Sequence, residues 1–187
     1  MALEKDLDEF RELDGNSQAH YAELRAMDRS IGSLREGLRK MNAQEDTLVW
    51  FTSDNGGLPK IKPSSTGGLR DFKGSLYEGG IRVPLLVRWP GVISAGAVID
   101  TPASSIDLLP TITEACASPR GREPVDGVSL MGVMTGVSEL PERALFWHFP
   151  HYRGGVKAPY SIVLRGDWKL IKYWGVGYEL YDLRQDL

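Results

Sequence analysis

The sequence is poor in the residues that most simple functional readings require. Its single cysteine, Cys116, excludes an internal disulfide and a cysteine-built zinc centre. It has three histidines, His20, His148 and His151, and no Gly-x-Ser-x-Gly elbow to support Ser/His/Asp hydrolysis. No apolar run approaches the roughly 20 residues that span a bilayer, so no membrane partner is expected. No lysine/arginine stripe is available to neutralise phosphates, and the net charge of −3 over 187 residues argues against a nucleic-acid partner. Residues 1–10 are charged throughout and do not read as a signal peptide; at face value they place the chain in the cytoplasm. There is no internal repeat and no low-complexity tract.

What is present is ordinary globular composition, 42% hydrophobic and 25% charged, enough for one domain and a small appendage. Residues 1–16 read as a loose polar lead-in. From Ser17, a candidate N-cap, Tyr21, Leu24, Ile31, Leu34, Leu38 and Met41 recur at helical spacing and predict one amphipathic helix. Thr47-Leu-Val-Trp-Phe-Thr52 has no alternation, which suggests a strand buried on both faces of a parallel sheet. A glycine-rich loop without an obvious element fills 56–80. A strand is expected over 83–89, with Pro84 near its start, and a helix over 105–117, with Pro110 in its first turn. Short strands follow at 144–149, 161–165, 168–173 and 179–181, with a Gly166-Asp167 hairpin turn. The fold class is therefore α/β, with a main unit over 17–135 and a smaller antiparallel subdomain over 136–187.

Three groups of residues carry chemistry. Asp54-Asn55 ends the buried strand, where ligands bind in open α/β sheets, and its oxygens suit Ca²⁺ or Mg²⁺. From spacing alone, Asp-Asn-Gly is first a turn and only second a metal site. Lys73 lies in Asp71-Phe-Lys-Gly-Ser-Leu-Tyr-Glu78-Gly-Gly-Ile-Arg82, where glycines let amides approach an anion. It is not a Walker loop, and from the residues alone a solvated basic loop is the first reading and an anion site the second. His148 and His151 flank a proline in Phe146-Trp-His-Phe-Pro-His-Tyr152 and fit an anion contact or an aromatic packing role; no third ligand completes a zinc set. His20, beside Tyr21, reads as structural. The five tryptophans read as packing residues.

Taken in order, these segments resemble one family. Thr47-Leu-Val-Trp-Phe-Thr-Ser-Asp54-Asn55-Gly-Gly, Lys73-Gly-Ser-Leu-Tyr-Glu-Gly-Gly-Ile-Arg-Val-Pro84, Arg88-Trp-Pro-Gly91, Ser105-Ile-Asp107-Leu-Leu-Pro-Thr111, Arg165-Gly-Asp-Trp-Lys-Leu-Ile171 and Glu179-Leu-Tyr-Asp-Leu183 resemble the second half of a type I sulfatase. The resemblance runs over about residues 17–187. It implies an alkaline-phosphatase-like α/β sandwich with a smaller C-terminal antiparallel sheet, and hydrolysis of sulfate monoesters by a formylglycine hydrate assisted by Ca²⁺. It implies that Asp54 and Asn55 are calcium ligands and that Lys73 pairs with sulfate oxygens. Glu78 and Arg82 match positions that hold the loop, and His148 and His151 become candidate substrate contacts. The implied substrate is a sulfated small molecule or carbohydrate.

The departures from the family pattern are specific. The Asp-Asp metal pair and the Cys/Ser-x-Pro-x-Arg motif that yields formylglycine do not occur in these 187 residues. Cys116-Ala-Ser-Pro119-Arg120 puts Pro at +3 rather than +2, so Cys116 reads as an ordinary, semi-buried thiol. The chain is therefore expected to be inactive alone, with a fragment of a sulfatase as the first reading. A non-catalytic binding remnant and a phosphodiester or phosphonate ester hydrolase of the same superfamily are the alternatives. An exposed sheet edge is expected to promote self-association. The family is usually exported, which leaves localisation open.

Overall fold

The computed structural model describes residues 4–119, 124–152 and 158–186. Its first element is α1 (Glu4–Glu9), followed by α2 (Gly15–Lys40). Asp14 caps α2: its carboxylate accepts the Ser17 amide at 3.0 Å, satisfying one of the orphan donors of the first turn. The helix thus starts ahead of Ser17. Ser17 is buried instead, and its hydroxyl accepts the Lys62 amide at 2.9 Å. The expected loose lead-in is corrected as well. Arg29 of α2 donates to both carboxylate oxygens of Asp6, which is buried, so α1 is tied to the long helix. The apolar stripe of α2 is only partly covered. Ala22 and Leu38 are buried, whereas Leu24, Leu34 and Met41 are exposed.

β1 (Val49–Thr52) and β2 (Leu85–Arg88) form a two-stranded antiparallel sheet. A parallel strand buried on both faces was the expectation; among the described residues β1 has one strand neighbour, runs against it, and none of its residues is fully buried. A uniformly apolar run reports burial potential and carries no information on partner direction. The Glu78–Ile81 turn is a short helix, α3, inside the segment expected to be loop. Two of its four residues are glycine, which suppresses any helical signal in the sequence.

A 3₁₀ turn (Ser105–Asp107) leads into α4 (Leu108–Ala115), with Pro110 in the first turn. Asp107 accepts the Ser104 and Val128 amides, and the Thr111 hydroxyl accepts the Leu130 amide. These bonds hold α5 (Met131–Thr135), an element without a sequence signature, against α4. Cys116, at the end of α4, is exposed rather than semi-buried.

The last four strands, β3 (Ala144–Phe149), β4 (Tyr160–Arg165), β5 (Trp168–Tyr173) and β6 (Gly177–Asp182), form one antiparallel sheet in sequence order. Gly166 turns the β4–β5 hairpin with φ +54, a value that suits glycine. The strand register places Trp147, Ile162, Ile171 and Glu179 in one row across the sheet. Tyr160, Ile162 and Ile171 from this face enclose Leu76 in the main core, with Tyr77 and Ile81 packed alongside. The residues between them alternate to the other face, where Phe146, Tyr178 and Leu180 are exposed. The inner face of the C-terminal sheet therefore supports the segment that carries Lys73. Among the described residues, no helix is long and apolar enough to cross a membrane.

Candidate functional site

The site is assembled from three stretches of backbone. Asp54 and Asn55 follow β1, and the Ser53 hydroxyl donates to the Asn55 carbonyl at 2.8 Å, fixing the turn. The Gly56 amide then donates to the Gly80 carbonyl (2.8 Å), the Lys73 amide to Gly57 (2.9 Å) and the Gly79 amide to Arg70 (2.8 Å). These bonds knit residues 54–57, 70–75 and 78–80 together. The approach is too close for side chains: a Cβ on Gly56 would lie 1.8 Å from the Gly79 carbonyl oxygen. Glycine here serves contact rather than chain freedom.

The outcome is that Asp54, Asn55 and Lys73 line one open cavity of about 2210 Å³, which Trp147 and Phe149 also line. Asp54 and Lys73 are exposed and Asn55 is half-buried. Among the described residues, neither the Asp54 carboxylate nor the Lys73 ammonium has a hydrogen-bond or ion-pair partner. A carboxylate and a cation without partners, facing one cavity, are available to a ligand. No group of three His, Cys, Asp or Glu side chains gathers closely enough among the described residues to make a metal centre by itself.

The two histidines are placed elsewhere. Strand alternation puts His148 on the face of β3 opposite Trp147 and Phe149. Its Nδ1 is 2.7 Å from the Ser161 hydroxyl, which also accepts from the Trp174 indole at 3.0 Å. His151 lies edge-on to Phe149, with ring centroids 5.2 Å apart. His20 stacks edge-on to Tyr21.

Of the polar groups that hold the loop from below, the resemblance pointed to Glu78, whereas its partner Lys169 and the Tyr77–Glu179–Tyr181 cluster were missed. Lys169 on β5 donates to Glu78 at 2.7 Å, and both side chains are buried. Burial pulls the Lys169 ammonium below its ordinary value, against the opposing pull of Glu78. Tyr77 and Tyr181 both donate to Glu179, at 2.7 and 2.8 Å. Burial would raise the Glu179 carboxyl, but the tyrosine hydroxyls overrule it and the net shift is downward. Burial pushes the Tyr77 hydroxyl up. The Arg70 guanidinium lies 3.9 Å from the centre of the Tyr77 ring and donates to the Tyr181 hydroxyl. The signal for Lys169 was its place in the strand alternation, which points it to the apolar side with Ile171 and Tyr173.

Comparison with known proteins converges on one family. The sulfatase profile matches residues 5–117, and that of the C-terminal region of N-sulphoglucosamine sulphohydrolase matches residues 68–187. A sulfatase from Formosa agariphila is 34% identical over 92% of this chain. Human arylsulfatase A is 36% identical over 74% of it. The chain spans only 34% and 27% of those two proteins. Among solved structures, Ps i-CgsB in complex with k-i-k-neocarrahexaose superposes with a TM-score of 0.87 at 26% identity, covering all of this chain and 41% of that one. A phosphonate monoester hydrolase of Agrobacterium radiobacter superposes at 0.71 and 25% identity, over 90% of this chain and 35% of its own. The architecture is part of the alkaline-phosphatase-like α/β fold with its smaller antiparallel sheet, and the chain belongs to the sulfatase family.

Proposed function

We propose that this chain carries one side of the active site of a sulfuric ester hydrolase. In this reading Asp54 and Asn55 give oxygen ligands to Ca²⁺, and Lys73 gives a cation to the sulfate group. The observation that supports it is the placement of these three residues in the lining of one open cavity, with the Asp54 carboxylate and the Lys73 ammonium free of hydrogen-bond and ion-pair partners among the described residues. The donor set fits: carboxylate and amide oxygens are what a hard cation takes. Two ligands are well short of the usual six to eight oxygens, so the remaining donors must come from outside these 187 residues. Bound there, Ca²⁺ would supply Lewis-acid stabilisation of the sulfate oxygens. Lys73, on a loop fixed at its own amide, would hold its ammonium against the same oxygens and offset the charge that develops on the leaving group.

The formylglycine nucleophile of the family requires a Cys/Ser-x-Pro-x-Arg motif that this sequence does not contain. The chain alone should therefore not turn over. The substrate class we favour is a sulfated carbohydrate. One structural neighbour was crystallised with k-i-k-neocarrahexaose and another with its substrate D-glucosamine-2-N,6-O-disulfate, and the open cavity here is large enough for sugar units. The phosphonate ester hydrolase likeness is the second reading, since the same cation and lysine would serve a phosphonate.

The test is an NMR titration of the 187-residue chain with CaCl₂ and with sodium sulfate, alongside an assay with 4-nitrophenyl sulfate. Weak, saturable shifts are expected at the amides of 54–57 with Ca²⁺ and of 73–75 with sulfate, lost in Asp54→Ala and Lys73→Ala respectively. No hydrolysis is expected. Shifts confined to other regions, or robust turnover removed by Lys73→Ala, would overturn the reading. Tighter binding of methylphosphonate than sulfate would favour the second one.

A further inference from the structure

Lys169 stands on the inner face of β5, in register between Leu164 and Tyr181, and is 1% exposed. A buried ammonium on an apolar sheet face is costly unless it is paired. Its partner here is Glu78, 7% exposed, the first residue of α3. Glu78 is 91 residues away in sequence. Neither charge can leave without stranding the other, so the pair acts as a fixed strut between the C-terminal sheet and α3.

The strut bears on the site through backbone. Glu78 is followed directly by Gly79 and Gly80, which bond to Arg70 and Gly56. These two bonds set the Lys73 segment against the Asp54–Asn55 turn. Two further contacts assist from the same sheet face: the Tyr160 hydroxyl accepts the Leu76 amide at 2.9 Å, and the Tyr77 hydroxyl donates to the Glu179 carboxylate.

We propose that Lys169 is a positioning residue for the Lys73 segment, acting through Glu78 and the Gly79–Gly80 backbone. The proposal rests on the assignment of Asp54, Asn55 and Lys73 to one site. It differs from a simple stabilising role because a buried ion pair is weak evidence of stability: replacing both partners by apolar groups often leaves stability unchanged or higher. What the pair contributes here is geometry.

The test is amide hydrogen exchange on the 187-residue chain, read residue by residue by NMR. Lys169→Met is expected to speed exchange at Gly56, Lys73 and Gly79 at least ten-fold more than at Ile162 and Val163 of β4, and to move the Gly56 and Lys73 amide resonances. A double variant, Glu78→Met with Lys169→Met, should keep the denaturation midpoint near that of the parent while losing the same local protection. Exchange that rises equally everywhere, or changes nowhere, would refute positioning. If neither variant folds, the parent protein in low denaturant still decides the matter. Gly56, Lys73 and the β5 amides should then open as one cooperative unit, and separate openings would overturn the proposal.

The titrations described above separate the two claims. If the parent fails to bind Ca²⁺ or sulfate at 54–57 and 73–75, the site assignment fails while the exchange result stands. If the parent binds, Lys169→Met should weaken the sulfate-induced shifts at Lys73 about five-fold or more. Unchanged sulfate affinity would sink the positioning role alone.

Discussion

Arg143 closes a bidentate ion pair on Asp107, 36 residues earlier in the chain, with Nη1 donating to Oδ1 at 2.7 Å and Nη2 to Oδ2. Asp107 is fully buried, and the Arg143 side chain is 19% exposed. The carboxylate also takes two amides, so it organises the turn before α4, the approach to α5 and the entry to β3 at one point. Removing one partner leaves the other charge buried and unpaired, a loss of about 3–5 kcal/mol. Arg143→Met should therefore lower the urea midpoint severely. Arg165→Met, which breaks an exposed pair with Glu142 (71% and 61% exposed side chains), should cost no more than about 0.5 kcal/mol. Equal losses in the two variants would show that burial does not govern these pairs.

The same carboxylate gives the stability a pH dependence with a definite sign. Burial raises Asp107, but Arg143 and the Val128 and Ser104 amides outweigh it, and the folded carboxyl lies below its ordinary value. A group whose folded value is depressed contributes stability that is present above its unfolded pKa of about 4, and loses it as pH falls through the folded value. Glu179 acts in the same direction. Stability by urea denaturation should thus fall with acidification below about pH 4, and Asp107→Asn should flatten part of that fall. An acid limb identical in parent and variant would remove Asp107 from the account.

Two glycines should respond to alanine in opposite ways. At Gly56 the new Cβ would meet backbone, the Gly79 carbonyl oxygen at 1.8 Å, which cannot move aside as a flexible side chain would. At Gly32, inside α2, nothing lies within 4 Å, and alanine gains up to about 1 kcal/mol of helix propensity. Gly32→Ala should raise the melting temperature, while Gly56→Ala should lower it and shift the Lys73 amide resonance. A neutral Gly56→Ala would mean that the three-segment interlock is looser than its geometry.

These elements also show which features the sequence exposed. β3 and β5 have the anticipated bounds, because period-two alternation and the Gly166 turn are local signals. The direction of β1 was not legible, since an apolar run is compatible with either partner orientation. α3 was hidden because Gly79 and Gly80 are selected for close backbone approach, which lowers helix propensity. Lys73, Asp54 and Asn55 stood out as loop chemistry, but their place in the lining of one cavity depends on backbone bonds such as that between Gly56 and Gly80, across the whole glycine-rich loop. Lys169 shares its strand face with Ile171 and Tyr173 by alternation, but its partner Glu78, 91 residues away, is visible only in the fold. His148 shows the reverse: its motif pointed to the site, and alternation places it beside Ser161 and Trp174 instead.

The remaining prediction concerns the exposed apolar side chains and the open edge of β1. Leu86 is 59% exposed, Leu109 61% and Val98 87%, and β1 has β2 as its sole strand neighbour among the described residues. Exposed apolar side chains and unpaired strand groups each favour association. As 187 residues alone, the protein should show concentration-dependent oligomers in sedimentation velocity. Leu86→Lys with Leu109→Lys should shift it toward monomer without lowering the urea midpoint, because both residues are already in solvent. A parent that stays monomeric across the concentration range would show that this apolar surface is tolerated in water, and the association argument would fall.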